Sequence, residues 1–171
     1  MTDNSEIDAE IKLLLSYLDS QRNHVLGILE GLTEEQLRTA ALPSGWTPRE
    51  LVHHLALDDE AFWFRGTIAG EQEMRDAVAA NQDGWKVPEG LSGADVIALY
   101  RKEIERSNAI ITTTAVDAAP AWWPEELFGD WRLDDLRDVM LHAIVETAAH
   151  AGHLDAAREL IDGRQWMVVT E

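Results

Sequence analysis

Apolar residues recur at helical spacing along four long stretches of this chain, and this periodicity is the strongest constraint on its fold. In the first stretch they return every three or four residues, at Ile7, Ile11, Leu14, Leu18, Val25, Ile28 and Leu32. The other stretches run from Pro48 to about Gly70, from near Ser92 to about Thr114, and from near Leu133 to Gly163. A short strand at Met167–Val169 is the one β candidate. The pattern predicts an all-α four-helix bundle with long connections at 71–91 and 116–132.

Length and composition limit what such a bundle can do. A chain of 171 residues, of which 46% are hydrophobic, predicts a single domain over residues 1–171. The net charge of −18 opposes contact with phosphate, so nucleic acid and anionic membranes are excluded as expected partners. The absence of cysteine excludes Cys-ligated metals and a Cys nucleophile. The acidic N-terminus and the lack of a long apolar run predict a soluble, cytoplasmic protein.

The fourth stretch contains a polar stripe of three histidines and one glutamate. At about 100° per residue, the side chains of His142, Glu146, His150 and His153 project within an arc of about 80°. A solvated helix face is the plain interpretation of such a stripe. However, the apolar line from Met140 to Ile161 passes through His150, which predicts that His150 is buried and needs a partner.

A metal centre is the more specific interpretation of these residues, and it assigns them a chemical role. Glu146 and His150 lie one turn apart, and His54 on the second helix is the candidate third ligand. Two imidazoles and one carboxylate leave an open position, as a catalytic zinc site requires, although Ni, Fe or Mn would suit the same donors. We expect Asp58 or His153 to orient a ligand or to act as general base, and His53 to lie behind the site or at the surface.

Other chemistry has less support in the sequence. A di-iron carboxylate site would need two Glu-x-x-His pairs, and Glu50 with His53 is the single such pair. Arg101, Lys102 and Arg106 alternate with glutamates, which predicts a solvated face rather than an anion site. The tryptophans of the second connection are equally consistent with a pocket lining and with a hydrophobic plug.

Two sequence blocks resemble the DinB-like superfamily of metal-binding four-helix bundles. The first is GWTPRELVHHL, from Gly45 to Leu55 at the start of the second helix. The second is LHAIVETAAHAGHLD, from Leu141 to Asp155, followed by RELIDG from Arg158 to Gly163. The resemblance spans most of the chain and is most similar to an uncharacterised actinobacterial subgroup. It implies His54, Glu146 and His150 as metal ligands, with His153 as the alternative to Glu146.

The resemblance also implies a function. The carboxylate version of the site is similar to mycothiol-dependent maleylpyruvate isomerases, and related proteins use bacillithiol. A metal-dependent transferase or isomerase acting with a low-molecular-weight thiol, or with a metal-bound water, is therefore expected, with a small-molecule substrate. The alternatives are a non-enzymatic metal- or small-molecule-binding stress-response bundle and a module for homo-oligomerisation. A homodimer is expected in each case.

Overall fold

A computed structural model describes residues 9–168, and the fold over this range is helical. Its elements are α1 (Ala9–Leu29), α2 (Glu34–Leu37), α3 (Pro48–His54), the π segment (Leu55–Ile68), α4 (Gln72–Ala79), α5 (Gly93–Thr113), α6 (Glu125–Phe128) and α7 (Leu136–Asp162). This confirms the all-α prediction. Ile7 and Val169 lie outside the described residues, and Met167 and Val168 are not in a strand. No helix within residues 9–168 combines the length and the apolar character needed to cross a bilayer.

Four long helical spans form the bundle: α1, α3 with the π segment, α5 and α7. Arg137 near the start of α7 pairs with Glu10, and Arg158 near its end donates to the Ile28 carbonyl, so α1 and α7 are parallel. Val96 packs in one cluster with Leu51, and Ile111 packs in the other with Phe64, so α5 runs parallel to α3 and the π segment. These two spans run antiparallel to α1 and α7. The connection over residues 69–92 must therefore return along the length of the bundle, which explains why it is long.

The helix boundaries follow from local capping chemistry. Thr47 and Ser92 each accept a hydrogen bond from the backbone N–H three residues later, and the side chain there bonds back, which completes a capping box. Asp135 caps α7 by accepting from the Asp138 N–H. Gly163 ends α7 in the left-handed conformation, at φ 78°. Each of these boundaries lies within a few residues of the predicted one.

The second long span differs from its prediction in winding. After His54 the helix continues without a break but changes to π geometry over Leu55–Ile68, and the Ala69 N–H donates to the Phe64 carbonyl five residues back. Wider winding brings more residues of each turn onto the inner face. Asp59 and Glu60 are therefore both buried, although a period of 3.6 residues gives no reason to expect this.

A buried ion pair lies in the bundle interior, between two hydrophobic clusters. Arg22 on α1 donates to both carboxylate oxygens of Glu60 on the π segment, at 2.6 and 2.7 Å. A third donor bond, 2.7 Å long, reaches Asn108 on α5. Both partners of the pair are about 1% exposed, and Arg22 also donates to the half-exposed Asp19 at 2.8 Å. Among the described residues Glu60 has Arg22 as its one cationic partner, so its buried charge depends on Arg22 for compensation.

Breaking this pair should destabilise the fold strongly. We expect Arg22→Met to lower the free energy of unfolding by about 3–5 kcal/mol, because it leaves the Glu60 carboxylate buried and unpaired. Arg22→Met with Glu60→Met should recover most of the loss. The exposed Arg38–Glu34 pair provides the control, since Arg38→Met should cost no more than about 1 kcal/mol. Urea unfolding of the four proteins tests this, and equal losses in the two single variants would contradict it.

Candidate metal centre

His54, at the end of α3, is held from two sides. Its Nδ1 lies 2.7 Å from Asp58 Oδ2, one turn further along. Its ring stacks on Trp85 from the connection before α5, with centroids 4.3 Å apart and planes at 18°. With the Nδ1 proton donated to the carboxylate, Nε2 is the lone-pair nitrogen, and it has no hydrogen-bond partner among residues 9–168.

The backbone of residue 84 makes this arrangement possible. A Cβ at Gly84 would lie 2.2 Å from Asp58 Oδ2, so only glycine allows the connection to approach Asp58 so closely. His53 also holds the backbone at Gly84, because its Nδ1 lies 2.5 Å from the Gly84 carbonyl oxygen. His53 is buried at 3% exposure. The sequence predicted that His53 lies either behind the site or at the surface, and the surface location is wrong. His53 instead holds in place the connection that carries Trp85.

One residue of the α7 stripe, His150, lies against His54, and Glu146 and His153 lie beside His150. The rings of His54 and His150 are 5.1 Å apart between centroids and nearly perpendicular. His150 Nε2 lies 3.8 Å from Glu146 Oε2, and the His153 ring lies 5.8 Å from the His150 ring. The side chain of His150 is 16% exposed, against 44% for Glu146. His150 is therefore half-buried against His54, whereas the sequence predicted that it is buried.

Burial keeps His150 neutral. Desolvation, with smaller contributions from the nearby His54 and His153 rings, lowers the pKa of His150 to about 4, although the Glu146 carboxylate acts to raise it. His150 Nδ1 is buried and has no hydrogen-bond partner among the described residues. A neutral imidazole with an unpartnered buried nitrogen is a strong candidate metal ligand.

The donor set of this cluster suits a divalent cation. Among the described residues it offers two imidazoles, each with one unpartnered nitrogen, and one carboxylate, and Asp58 orients His54 as carboxylates commonly orient metal-bound histidines. However, the side chains of this cluster are not arranged around one common point, as the ligands of a bound metal ion would be. Over residues 9–168, no three His, Asp or Glu side chains already converge as a set that could hold a metal ion.

His142 does not belong to this cluster. It packs against Trp63 and Trp131, with ring centroids 4.8 and 5.5 Å away, and burial lowers the pKa of its imidazole. Trp131 and Trp123 also pack on Trp63 and Phe128, so part of the second connection forms a hydrophobic plug. Trp122, with Arg75 near its ring, lines a separate surface cavity.

Sequence reasoning missed a buried polar contact behind the cluster. The Thr147 hydroxyl, next to Glu146 in sequence, donates to Asp59 Oδ2 at 3.0 Å. Burial raises the pKa of the Asp59 carboxyl well above its usual range, and the Glu60 carboxylate raises it further. A run of three acidic residues, Asp58 to Glu60, in a mainly apolar stretch was the available signal. This contact ties α7 to the π segment at the level of the site.

The fold and the site together define an all-α bundle with a histidine–carboxylate cluster between its second and fourth long helical spans. The sequence model of one family, described as mycothiol S-transferase, matches residues 13–163. The chain belongs to that family, which confirms the resemblance to the DinB-like superfamily. Searches of curated proteins and of solved structures find no match.

The Asp59 carboxyl should make stability depend on pH. In the unfolded chain Asp59 loses its proton near pH 4, whereas the folded protein retains it to higher pH. Wild-type stability should therefore fall as pH rises above about 4, relative to Asp59→Asn, whose amide oxygen still accepts from Thr147. We expect Asp59→Asn to melt higher than wild type at pH 8 and with little difference at pH 4.

Thermal unfolding between these pH values tests this expectation. The control is Asp130→Asn, an exposed position, which should not change the pH profile. Parallel profiles of wild type and Asp59→Asn would contradict it.

Proposed function

We propose that this protein is a metal-dependent thiol S-transferase that uses mycothiol or a similar low-molecular-weight thiol. One observation carries the proposal: the imidazoles of His54 and His150 face each other beside a carboxylate, and one nitrogen of each ring has no hydrogen-bond partner among residues 9–168. Membership of the mycothiol S-transferase family supports the thiol. The absence of cysteine from the sequence agrees with a nucleophilic sulfur supplied by a separate molecule.

In this proposal His54, Glu146 and His150 hold one divalent cation, with His153 as the alternative to Glu146. A bound cation would lower the pKa of a coordinated thiol and keep its sulfur as thiolate. Nitrogen and carboxylate donors suit zinc best, and also accept nickel, iron or manganese. The 5.1 Å separation between the ring centroids of His54 and His150 supports a shared ion between these two imidazoles.

The remaining residues position groups and move a proton. Asp58 accepts a hydrogen bond from the Nδ1–H group of His54, which leaves Nε2 as the ligand atom. Trp85 stacks on one face of the His54 ring and excludes water from that face. His153 is exposed beside His150, so we assign it as acceptor of the proton that the thiol releases. The sulfur then bonds to the electrophilic carbon of an acceptor, whose leaving group departs with the bonding electron pair.

A non-enzymatic binding bundle is the second candidate. One observation favours it: His153 is near enough to His150 to add a fourth protein donor. Four protein ligands would close the site, as in structural zinc centres, and would leave no position for a thiol.

We also infer that the protein is a cytoplasmic homodimer. Leu141, Val145 and Leu160 are exposed along α7, and Leu13 and Tyr17 are exposed on the adjoining α1. Gly152 lies between them in mid-helix, and a Cβ there would meet nothing within 4 Å. Glycine in a helix interior costs roughly 0.5–1 kcal/mol relative to alanine, and close approach of a second helix would explain it.

Metal retention tests the ligand assignment. We expect His54→Ala and His150→Ala each to abolish zinc retention, because each removes one of three donors. Asp58→Asn should lower the affinity about 10–100-fold. His24→Ala is the control, since His24 contacts Trp166 rather than the cluster, and it should retain the metal. Elemental analysis of untagged protein after dialysis measures this. Undiminished zinc in both alanine variants would overturn the site.

An open coordination position distinguishes the transferase from the binding bundle. With Co(II) bound, adding a thiol should produce a sulfur-to-cobalt charge-transfer band in the near ultraviolet, because the thiolate occupies the open position. His153→Ala should preserve this band while slowing thiol transfer. A Co(II) spectrum that thiol leaves unchanged in the wild type, but alters in His153→Ala, would instead favour the closed site.

A further inference from the structure

A cavity of about 440 Å³ opens between the π segment, α6 and the connection that follows α4. Its volume falls in the range of small-molecule sites. Phe62 and Trp63 from the π segment and Phe128 from α6 form part of its wall. The rings of Phe62 and Trp63 are nearly perpendicular, with centroids 4.8 Å apart, and Trp63 stacks on Phe128 at 5.6 Å. This aromatic wall is therefore held in place by packing between its own rings.

The same cavity is lined by two carboxylates, Asp58 and Asp83. A Cβ at Gly84 would lie 2.2 Å from Asp58 Oδ2, so the backbone next to Asp83 lies against Asp58. The two side chains are 38% and 41% exposed, so both are accessible to a ligand, although Asp58 also accepts the His54 hydrogen bond. The backbone N–H of Trp85 donates to Asp83 and lowers the pKa of its carboxyl. Asp83 therefore carries a negative charge at neutral pH.

Cations contribute little to this cavity. Within the described residues, no lysine or arginine lines it. Lys86 pairs with Asp83 at 3.3 Å, but the Lys86 side chain is 84% exposed, and such surface pairs are weak. In the adjoining cavity Arg65 is bonded to carboxylates, and Lys102 and Arg106 are exposed on the face that the sequence predicted to be solvated.

We propose that this cavity binds an organic ammonium cation with an apolar or aromatic body. The ammonium group binds the Asp58 and Asp83 carboxylates, and the body packs against the aromatic wall. Aromatic rings also attract a cation, so both parts of the lining favour the same charge. The side-chain amides of Asn81 and Gln82 line the cavity without hydrogen-bond partners among residues 9–168, so their oxygens can accept further N–H groups.

The lining selects this class of ligand over the alternatives. A carboxylate or phosphate ligand would meet two carboxylates in a protein of net charge −18. A bare metal ion would make no use of the aromatic wall, and an uncharged aromatic molecule would make no use of the carboxylates. The proposal does not depend on the proposed function, because none of the three candidate metal ligands lines the cavity.

Calorimetric titration of the untagged protein tests the proposal. The probe is 3-phenylpropylamine, and 3-phenylpropanol is the uncharged control of similar shape. The amine should bind about 2–5-fold tighter than the alcohol at low salt, and added salt should reduce this preference. Asp83→Asn should remove most of it. The matched control is Asp76→Asn, which removes the same charge from α4, where the side chain borders a different cavity.

The outcomes separate this inference from the proposed function. His150→Ala, which should lose metal, should keep the amine preference, so a failed metal site leaves this test intact. Undetectable binding of the amine, or equal binding of amine and alcohol by the wild type, would overturn the inference. So would loss of the preference in Asp76→Asn as complete as in Asp83→Asn, or tighter binding of 3-phenylpropanoate than of the alcohol.

Discussion

The Arg22–Glu60 ion pair is the interaction on which the arrangement of this bundle depends. It joins α1 to the π segment in the interior, and its extra bond to Asn108 adds α5. A buried charge is tolerated only where its partner is in place, so the pair allows one register between these helices. That register sets the position of the π segment, and the π segment sets the positions of Asp58 and Asp59. Asp58 lies at the candidate site, and Asp59 lies in the bundle interior.

The candidate site depends on the different directions in which these two neighbouring side chains point. Asp58 faces the cluster and orients His54, whereas Asp59, the next residue, faces inward and binds Thr147 on α7. Thr147 is adjacent to Glu146, so the second contact holds the α7 side of the cluster against the His54 side. Burial contributes in a different way: it keeps His150 neutral and leaves its Nδ1 without a partner. Under the proposed function, orientation and desolvation together prepare these donors for a cation.

Much of the bundle could be predicted because its signals are local. Thr47 with Pro48, Ser92 and Gly163 mark helix ends through their own backbone chemistry, and the described structure confirms all three. His150 was predicted to be buried because it lies on an apolar line of period 3.6, and it is half-buried. The π winding was not predictable in the same way, since its cause lies in packing against the other helices.

The amino-acid sequence by itself determined the helical class, the four long spans, the exclusion of cysteine chemistry and the residue types available to a metal. These properties follow from periodicity and composition, which need no knowledge of neighbours. Tertiary structure alone decided that His53 is buried under Gly84, that His142 joins the aromatic plug, and that Asp58 and Asp83 border one cavity. Each of these depends on a contact between segments distant in the chain, and such contacts are set by packing and electrostatics in three dimensions.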